Sequence, residues 1–270
     1  MSGKQRLDTL LVSRGQFSSR EKARSAVMAG LVFVDGKRVD KPGHQVTGQC
    51  KIEIKGTPLP YVSRGGLKLE KALAVFNIDL SGKIVLDIGA STGGFTDCAL
   101  QKGASMVYAV DVGYGQLAWS LRQHERVVVL ERTNIRHLEA ERLEQLPDFA
   151  TVDVSFISLS KVLPKVAELT ADDAGAVVLI KPQFEAGPEK VGKKGVVRDP
   201  QVHIEVINQV LKVVEQLGFQ PQGLDYSPIK GPEGNIEYLL YFTKGASPGC
   251  PQKPVPVNKV VENAHKGLAK

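Results

Sequence analysis

The chain has 270 residues, 42% of them hydrophobic, and a formal net charge of +6, which predicts one large and one small folded domain and excludes a chain disordered throughout. Its three cysteines, Cys50, Cys98 and Cys250, form no CxxC or His-Cys cluster, so we expect no disulfide framework, no metal site and a reduced, cytoplasmic setting. No apolar run approaches the roughly 20 residues that span a bilayer, and the first residues hold no apolar signal core, so neither export nor a membrane is expected.

The positive charge is concentrated at the start of the chain. Residues 1–58 hold eleven Lys or Arg against five Asp or Glu, whereas the remaining 212 residues hold 24 of each kind. A small basic segment joined to a larger neutral one is typical of an anion-binding module attached to a working domain. Nucleic acid is the anion that we expect it to bind.

The basic segment is predicted to form two helices followed by short strands. Helical apolar spacing covers 6–12, a second helix begins at Ser18 or Ser19 and runs to Met28, and Asp35-Gly36 indicates a hairpin turn. A half-exposed strand is predicted over 51–54. Basic side chains on this framework are the predicted RNA contacts: Arg6, Arg20, Lys22, Arg24, Lys37 and Arg38. The alternative is a basic face that is only solvated.

A stiff linker follows, because Pro58 and Pro60 cannot enter a helix and hold the chain extended. Beyond it, strands alternate with helices, which predicts an α/β, Rossmann-like domain with a seven-stranded, mainly parallel sheet closed by a hairpin. Strands are predicted near 83–88, 106–111, 126–130, 150–154, 175–181, 219–226 and 236–243, and helices near 63–77, 95–102, 115–122, 137–144, 158–169 and 199–217. We place the small domain at 1–58, the linker at 59–64, the large domain at 65–245 and a proline-rich tail with a short amphipathic stretch, 259–266, at 246–270.

The turn after the first strand of the large domain carries the most specific pattern in the chain. Gly89, Gly93 and Gly94 let the backbone turn sharply and expose its amides before the next helix, so that a ligand can approach closely. The glycine spacing differs from the dinucleotide fingerprint, and Asp87 would repel a pyrophosphate but attract an ammonium group. S-adenosylmethionine carries an ammonium group, and we predict that it is the cofactor.

The next strand ends in a second acidic residue. Asp111 stands where a carboxylate can accept hydrogen bonds from both hydroxyls of a ribose. Alone, Asp87 or Asp111 is more often a helix cap or a loop residue, but the two together, with three glycines between them, favour a cofactor site. Asn134, after the third strand, is a candidate contact for the adenine edge, with a turn-forming role as the alternative.

Four charged residues are predicted to gather at one edge of the sheet: Lys68, Asp153, Lys181 and Glu237. Three of them lie on or beside strands that are otherwise apolar, at the edge where open α/β sheets keep their active sites. Two lysines and two carboxylates can neutralise one another there, and one lysine would lose its proton more readily if desolvation outweighed its acidic neighbours. Ion pairs that merely hold the sheet edge together are the alternative.

A flexible basic loop is predicted at 187–195, which contains three glycines and three lysines. Such a loop can close over RNA. A solvated surface loop is an equally good interpretation.

These motifs resemble known families. The segments "RLDTLLVSRG", "SREKARSAVMAGLVFVDGKRV" and "KPGHQV" resemble the small RNA-binding domain shared by a ribosomal small-subunit protein, pseudouridine synthases and some tRNA synthetases. The order Lys-Asp-Lys-Glu, with "DIGASTGGFTD" and "KPQFE", resembles the FtsJ-type 2′-O-ribose methyltransferases. The segments "PYVSRGGLKLEKAL" and "TVDVSFISL" narrow this resemblance to the TlyA, or haemolysin-A-like, family of rRNA methyltransferases, over about residues 5–244.

The resemblance implies methyl transfer from S-adenosylmethionine to ribose 2′-hydroxyls of cytidines in 16S and/or 23S rRNA, within ribosomal subunits and without a metal. It also implies that the four charged residues are catalytic. Our hypothesis is that Lys181 bonds the target hydroxyl and removes or steers its proton, that Asp153 and Glu237 fix its orientation, and that Lys68 positions the nucleotide. The cofactor contacts predicted on this basis are Asp87, Gly89, Ala90, Gly93, Gly94, Phe95, Asp111, Val112 and Asn134.

Three other functions compete with this one. A membrane-active haemolysin is disfavoured because the chain has no spanning segment and no long helix with a broad apolar face. A non-catalytic rRNA-binding assembly factor is disfavoured by the complete set of four charged residues and by the glycine-rich turn. A small-molecule methyltransferase would leave the basic domain without a task. The sequence leaves open the oligomeric state, with a monomer as one option, as well as the target nucleotide and the role of the tail.

Overall fold

The computed structural model describes residues 4–28, 30–56, 59–245 and 255–268. Pro58 of the predicted linker and the predicted proline-rich segment 246–254 lie outside these ranges. The contacts of the chain divide it into a small unit, Met1–Arg64, and a large unit, Gly65–Lys270. Each unit has its own hydrophobic core.

The small unit consists of two helices and two short antiparallel sheets. Its elements are β1 (Gln5–Arg6), α1 (Leu7–Ser13), α2 (Arg20–Met28), β2 (Val32–Val34), β3 (Lys37–Arg38), β4 (Gln45–Val46) and β5 (Ile52–Ile54). Strands β3, β2 and β5 form one sheet in that order, and β1 pairs with β4. The helices and the hairpin agree with the prediction, and the turn residues Asp35 and Gly36 have the positive φ angles, 49° and 78°, that a two-residue hairpin requires. The β1–β4 pair has no counterpart in the prediction, because two-residue strands show no alternation in a sequence.

The large unit is built on one seven-stranded sheet. Its strands are β6 (Ile84–Ile88), β7 (Met106–Val110), β8 (Val127–Leu130), β9 (Phe149–Val152), β10 (Gly175–Ile180), β11 (Phe219–Tyr226) and β12 (Tyr238–Lys244), and its helices are α3 (Gly65–Phe76), α4 (Gly94–Gln101), α5 (Trp119–Arg122), α6 (Leu163–Leu169), α7 (Pro182–Glu185), α8 (Pro200–Gln216) and α9 (Val257–Gly267). The strand order is β11-β12-β10-β9-β6-β7-β8. The five strands from β10 to β8 are parallel, and β12 is antiparallel to both of its neighbours. This confirms the predicted mainly parallel sheet with a closing hairpin.

Three predicted helices are shorter than expected or absent. The helix predicted at 115–122 contains only the four residues of α5, and the one predicted at 158–169 is reduced to α6 after a 3₁₀ turn. The helix predicted at 137–144 is absent and is replaced by two separate 3₁₀ turns. Side chains explain part of this difference, because Asn134 and Ser158 each accept a backbone N–H two residues ahead and so start a short turn instead of a long helix.

The amphipathic stretch near the carboxyl end forms α9, which packs against α8 and β11. Its apolar face buries Val257, Val260, Val261 and Ala264. At the next position along the helix, His265 Nε2 lies 3.2 Å from Nδ1 of the buried His203 of α8. The last helix therefore belongs to the core of the large unit.

A buried carboxylate fixes two arginines on the surface of the small unit. Asp8 is fully buried in α1, and Arg6 Nε and Nη2 donate to its two oxygens at 3.0 and 2.8 Å. Arg20 Nε, at the start of α2, donates to the same carboxylate at 3.2 Å. The hydrogen bond from Arg6, supported by Arg20 and opposed by burial, lowers the pKa of Asp8 to about 2. Asp8 therefore ties the two helices together and restricts both guanidinium groups.

Replacing Asp8 by alanine is expected to lower the free energy of unfolding of the small unit by about 2 kcal/mol, because two charged donors lose their buried acceptor. A folded-state pKa of about 2 lies below the ordinary value of 3.8, so this stabilisation is present above that value and is lost as the pH falls through about 2. The difference between variant and wild type should therefore stay constant from about pH 5 to about pH 8. Urea unfolding of the full chain, read by hydrogen exchange in α1 and α2, measures it. Asp40→Ala changes an exposed aspartate of the same unit and serves as the control; an equal loss in that variant would contradict the assignment.

Candidate active site

The four charged residues predicted from the sequence meet at the edge of the sheet where the parallel strands end. Asp153 directly follows β9, and Lys181 directly follows β10. Glu237 directly precedes β12, and because β12 runs antiparallel to β10, its start lies beside the end of β10. Lys68 reaches the same cluster from α3. The sheet topology thus brings together residues that are far apart in the chain.

The four side chains form a continuous chain of ion pairs in which the charges alternate. Lys181 Nζ lies 2.5 Å from Asp153 Oδ1, and Lys68 Nζ lies 3.4 Å from Asp153 Oδ2. Lys68 Nζ also lies 2.7 Å from Glu237 Oε2. Exposed fractions of 8% for Lys68, 7% for Lys181 and 0% for Glu237 show that these charges are removed from water. Each of them contacts an opposite charge, which is the condition for keeping ions in a protein interior.

The carboxylates keep Lys68 charged. Burial lowers the pKa of Lys68, but the charges of Asp153 and Glu237 and the hydrogen bonds to them outweigh burial and raise it. Desolvation therefore does not outweigh the acidic neighbours of Lys68, and this lysine keeps its proton. Glu237 Oε1 is buried without a hydrogen-bond donor among the described residues, and Gly231 packs so closely that a Cβ there would lie 2.2 Å from this oxygen. Across the described ranges, no three His, Cys, Asp or Glu side chains are grouped as metal ligands.

A cavity of about 460 Å³ opens beside the ion pairs. Its wall includes Gly89, Asp111, Asn134 and Asp153, which lie at the ends of β6, β7, β8 and β9. This is the edge at which open α/β sheets bind ligands, and the volume falls within the roughly 300–1,000 Å³ usual for small-molecule sites. Because Asp153 belongs to both the cavity wall and the chain of ion pairs, a ligand in the cavity lies directly beside the cluster.

Two predicted cofactor contacts present polar side chains to the cavity. Asp111 Oδ2 accepts a hydrogen bond from Ser91 N, and its Oδ1 accepts one from the amide two residues further along, both at 2.7 Å. These bonds hold the carboxylate at the wall and leave each oxygen a further lone pair for a ligand. Asn134 Oδ1 accepts the amide of Arg136 at 3.1 Å, so Asn134 also has the turn-forming role considered as its alternative.

Gly89 and Val112 complete the predicted contacts that line the cavity. Gly89 has a φ of 83°, and its N–H donates to the carbonyl of Val110 at 2.9 Å. A Cβ at Gly89 would lie 2.5 Å from the backbone carbonyl oxygen of Asp153. Both the backbone angle and the close approach therefore require glycine where β6 meets the turn after β9.

Asp87, a predicted cofactor contact, lies behind the cavity wall, and a direct contact with an ammonium group stays a prediction for it. It is fully buried and absent from the cavity wall. Its oxygens accept hydrogen bonds from Thr96 Oγ1 at 2.6 Å and Thr151 Oγ1 at 2.8 Å. Burial raises the pKa of Asp87 to about 6, although both hydroxyl groups act to lower it. Asp87 thus joins β6 to α4 and β9 and shapes the cavity from behind.

The other predicted contacts of the glycine-rich turn lie behind the cavity wall. Ala90, Gly93, Gly94 and Phe95 are buried and do not line the cavity. Gly93 has a φ of 98° at the start of α4, and a Cβ there would lie 2.3 Å from the Leu121 side chain. These residues determine the path of the turn, and a direct contact with a cofactor stays a prediction for them.

Sequence reasoning missed an exposed aromatic ring at the edge of the cavity, which packs against a half-buried one. Phe156 lines the cavity and is nevertheless 90% exposed, and its ring centroid lies 5.0 Å from that of Phe184 in α7. The φ of Phe156 is 62°, a left-handed conformation that costs roughly 1–3 kcal/mol at a residue other than glycine unless its surroundings hold it. An exposed ring on a strained backbone beside buried charges indicates a ligand contact. Its one signal in the sequence is its position just after Asp153, since a positive φ at phenylalanine leaves no pattern.

The predicted RNA contacts of the small unit are all exposed: Arg6, Arg20, Lys22, Arg24, Lys37 and Arg38. Arg6 and Arg20 are held by Asp8. The guanidinium of Arg38 lies over Gly30, where a Cβ would come within 1.9 Å of it. Exposed cations with restricted motion are suited to phosphate groups, and their contact with RNA stays a prediction.

Family models match both units of the chain. The model described as FtsJ-like methyltransferase matches residues 61–244, and the model described as S4 domain matches residues 5–49. The fold and the site thus define a Rossmann-like methyltransferase that begins with an S4 domain. The FtsJ-like model matches more than half of this chain, so the chain belongs to the FtsJ-like methyltransferase family. Both resemblances drawn from the sequence are confirmed.

Named relatives are similar to this chain over almost its whole length. YqxC of Bacillus subtilis, provisionally named an rRNA methyltransferase, is 52% identical over 99% of this chain and 96% of its own length. The 16S/23S rRNA (cytidine-2′-O)-methyltransferase TlyA of Mycobacterium tuberculosis is 45% identical over 90% of this chain and 91% of its own length. A solved structure from Streptococcus thermophilus, provisionally named a haemolysin, is 48% identical, with a TM-score of 0.78, and the match covers 100% of this chain and 98% of that chain. Proteins with methyltransferase and haemolysin names thus share this architecture.

Replacing Gly89 by alanine is expected to weaken binding of S-adenosylmethionine, the predicted cofactor, by at least about 10-fold, because the added carbon displaces the turn that carries Asp153. Isothermal calorimetry measures the affinity, and thermal unfolding measures the accompanying loss of stability. Gly218→Ala is the matched control, since Gly218 has a similar φ of 81° with no atom within 4 Å of the added carbon. Equal effects of the two variants on cofactor affinity would contradict the role given to the close approach at Gly89.

Replacing Asp87 by asparagine is expected to raise the thermal unfolding midpoint at about pH 8, because an asparagine avoids burying a charge. A folded-state pKa of about 6, above the ordinary 3.8, means that wild-type stability falls as the pH rises through about 6. The advantage of the variant should therefore shrink as the pH is lowered toward about 4, because Asp87 is then protonated in the folded state and no charge is buried. Melting curves of both proteins across this pH range measure the difference, and an advantage that grows toward low pH would contradict the raised pKa.

Proposed function

We propose that this chain transfers a methyl group from S-adenosylmethionine to the 2′-hydroxyl of cytidine ribose in the 16S and/or 23S RNA of ribosomal subunits. The observation that carries the proposal is the position of Asp153, which lines the cavity and also pairs with Lys181 and Lys68. A methyl donor in the cavity and a ribose hydroxyl at Lys181 would lie on two sides of the Asp153 carboxylate. The name of the similar TlyA protein of Mycobacterium tuberculosis supports the choice of substrate.

The volume of the cavity and the charge of its wall support S-adenosylmethionine as the cofactor. When bound, the cofactor supplies a methyl group on a positively charged sulfonium. Gly89 allows a ligand to approach the backbone, and Asp111 keeps lone pairs free for ribose hydroxyls. Asp111 places negative charge on the wall, which favours a cationic ligand. Asn134 is available to the adenine edge from the same wall.

Lys181 is the residue that we assign to the target hydroxyl. Its Nζ is fixed by Asp153 and donates to Ser155 Oγ at 3.1 Å, so it stands in one place beside the cavity wall. In the transfer, the hydroxyl oxygen would take the methyl group that the bound cofactor supplies and would give up its proton. Lys181 removes or steers that proton. Because a ribose hydroxyl is a poor nucleophile at neutral pH, alignment supplies much of the acceleration.

The remaining residues of the site position the nucleotide. Lys68, held between Asp153 and Glu237, keeps the Asp153 carboxylate turned toward Lys181 and carries positive charge toward the substrate. Phe156 offers an exposed ring on which a base can stack. Stacking on a protein ring requires a base that has left its helix, so the target nucleotide is unpaired when it enters the site.

The small unit supports RNA as the substrate. It matches the S4 domain, and residues 1–58 within it carry a net charge of +6, equal to that of the whole chain. In the large unit, the predicted basic loop contains two 3₁₀ turns, Pro188–Lys190 and Lys193–Gly195. Lys190 is paired with Glu205 of α8, whereas Lys193 and Lys194 are exposed and available to phosphate groups.

The competing functions receive less support from the molecule. Haemolysis is suggested only by the names of similar proteins, and in the described part of the chain no helix has the length and the apolar character to cross a bilayer. A non-catalytic assembly factor would have no use for a complete cluster of buried charges beside a cofactor-sized cavity. Comparing 2′-O-methylated positions in rRNA from cells with and without this gene tests the substrate directly.

Replacing Lys181 by alanine is expected to lower methyl transfer to ribosomal subunits by at least about 100-fold, the usual loss when a general acid or base is removed. Affinity for S-adenosylmethionine should stay within about twofold, since Lys181 does not line the cavity. Transfer of tritium from labelled cofactor and isothermal calorimetry measure the two quantities.

Lys212→Ala is the control, because it removes an exposed lysine of α8. Lys181→Arg keeps a positive charge beside Asp153. It therefore distinguishes a loss of methyl transfer caused by unfolding from one caused by removing the lysine. Near-normal transfer by folded Lys181→Ala protein would remove Lys181 from its assigned role.

A further inference from the structure

The segment that carries Phe156 is fastened to the segment that carries Lys181 by three separate contacts. Lys181 Nζ donates to Ser155 Oγ at 3.1 Å, immediately before Phe156. The rings of Phe156 and Phe184 pack at a centroid distance of 5.0 Å. The third contact comes from Glu185, the last residue of α7, and the chemistry assigned above gives this residue no task.

Glu185 makes the polar part of this connection. Its Oε1 accepts a hydrogen bond from Leu159 N at 2.8 Å, and its Oε2 accepts one from Ser158 Oγ at 2.7 Å. Burial raises the pKa of Glu185, although both of these bonds act to lower it. Burial therefore disfavours the charged form of Glu185, and both of its oxygens accept hydrogen bonds from the same short stretch of chain.

Phe156 needs such a fastening because it has little packing of its own. Its ring is 90% exposed, and its φ of 62° lies in the left-handed region. A residue in that conformation persists only when the surrounding structure over-determines it. On one side of Phe156 the chain is held by Asp153, whose N–H donates to the carbonyl of Ile88 at 2.9 Å. On the other side, it is held by Glu185.

We infer that Glu185 is a positioning residue for the methyl transfer: it holds the loop 155–159 so that Phe156 stays where the target nucleotide enters. The inference rests on the proposed function, because that function assigns the nucleotide to Phe156. Glu185 acts through Phe156 and makes no contact with the substrate. Its loss should therefore affect the nucleotide and leave the cofactor site unchanged.

Three variants test the contact itself. Glu185→Ala removes both acceptors. Glu185→Gln keeps an oxygen for Leu159 N, and its amide can donate to Ser158 Oγ, which is also able to accept, so the loop should keep its place. Glu215→Ala removes an exposed glutamate of α8 and is the matched control.

The activity measurement uses the full chain, tritium-labelled S-adenosylmethionine, and ribosomal subunits from cells that lack the gene. Glu185→Ala is expected to lower kcat/KM for the subunits by up to about 10-fold with unchanged cofactor affinity, because misplacing the Phe156 ring cannot cost more than removing it. Glu185→Gln should recover transfer to within about threefold of wild type, and Glu215→Ala should match wild type. Full activity of Glu185→Ala would overturn the inference.

A double-mutant cycle shows whether Glu185 acts through Phe156. Phe156→Ala alone should lower kcat/KM by roughly 10-fold, as expected for the loss of one base-stacking contact. Adding Glu185→Ala to Phe156→Ala should then change kcat/KM by less than about twofold, because the group being positioned is already gone. A purely structural role would instead multiply the two losses, and that result would overturn the inference.

Hydrogen exchange provides a readout that needs no activity. The peptide containing Phe156 to Leu159 should exchange faster in Glu185→Ala than in wild type, and at the wild-type rate in Glu185→Gln. Unchanged exchange in Glu185→Ala would overturn the inference even in an inactive preparation. A wild-type protein that transfers no methyl group to the subunits would instead overturn the proposed function, so the two failures are distinguishable.

Discussion

The site depends on one carboxylate that two buried lysines share. Asp153 contacts Lys181 through one oxygen and Lys68 through the other. Because an unpaired ion in a protein interior costs several kcal/mol, the buried Lys181 depends on Asp153 for its opposite charge, and Lys68 shares Asp153 with the nearer Glu237. The same carboxylate forms part of the cavity wall, and its backbone carbonyl lies against Gly89. The charge balance of the cluster, the path of the glycine-rich turn and the shape of the ligand cavity therefore all depend on the position of Asp153.

Other carboxylates of this chain act as anchors for groups beside them. Asp8 holds two arginines at the surface, Asp87 holds the strand before the glycine-rich turn, and Glu185 holds the loop of Phe156. Their partners decide their pKa. The pKa of Asp8 is lowered because its partners are cations, whereas the pKa values of Asp87 and Glu185 are raised because hydroxyl and amide donors do not offset burial. Similar geometry thus has opposite consequences for the pH dependence of stability.

Much of the fold was predictable because its pattern is local. Apolar runs that alternate with amphipathic stretches identified all seven strands of the large sheet, and the Asp35-Gly36 turn identified the hairpin of the small unit. The errors fall where a side chain overrides propensity: Asn134 and Ser158 each start a short turn inside a segment predicted as helix. The helix α7 has four residues, too few for any periodicity, and yet it carries Phe184 and Glu185.

The sequence alone predicts the fold class, the order of an RNA-binding unit and a methyltransferase unit, and the identity of the four charged residues. These predictions are possible because periodicity, glycine spacing and residue type are properties of the sequence itself. The three-dimensional arrangement was needed to show that Asp87 supports the cavity while Asp111 lines it, that Lys68 keeps its proton, and that Phe156 is exposed on a left-handed backbone. These properties depend on burial and on distances between residues remote in sequence. Strand order, which places the start of β12 beside the end of β10, sets those distances.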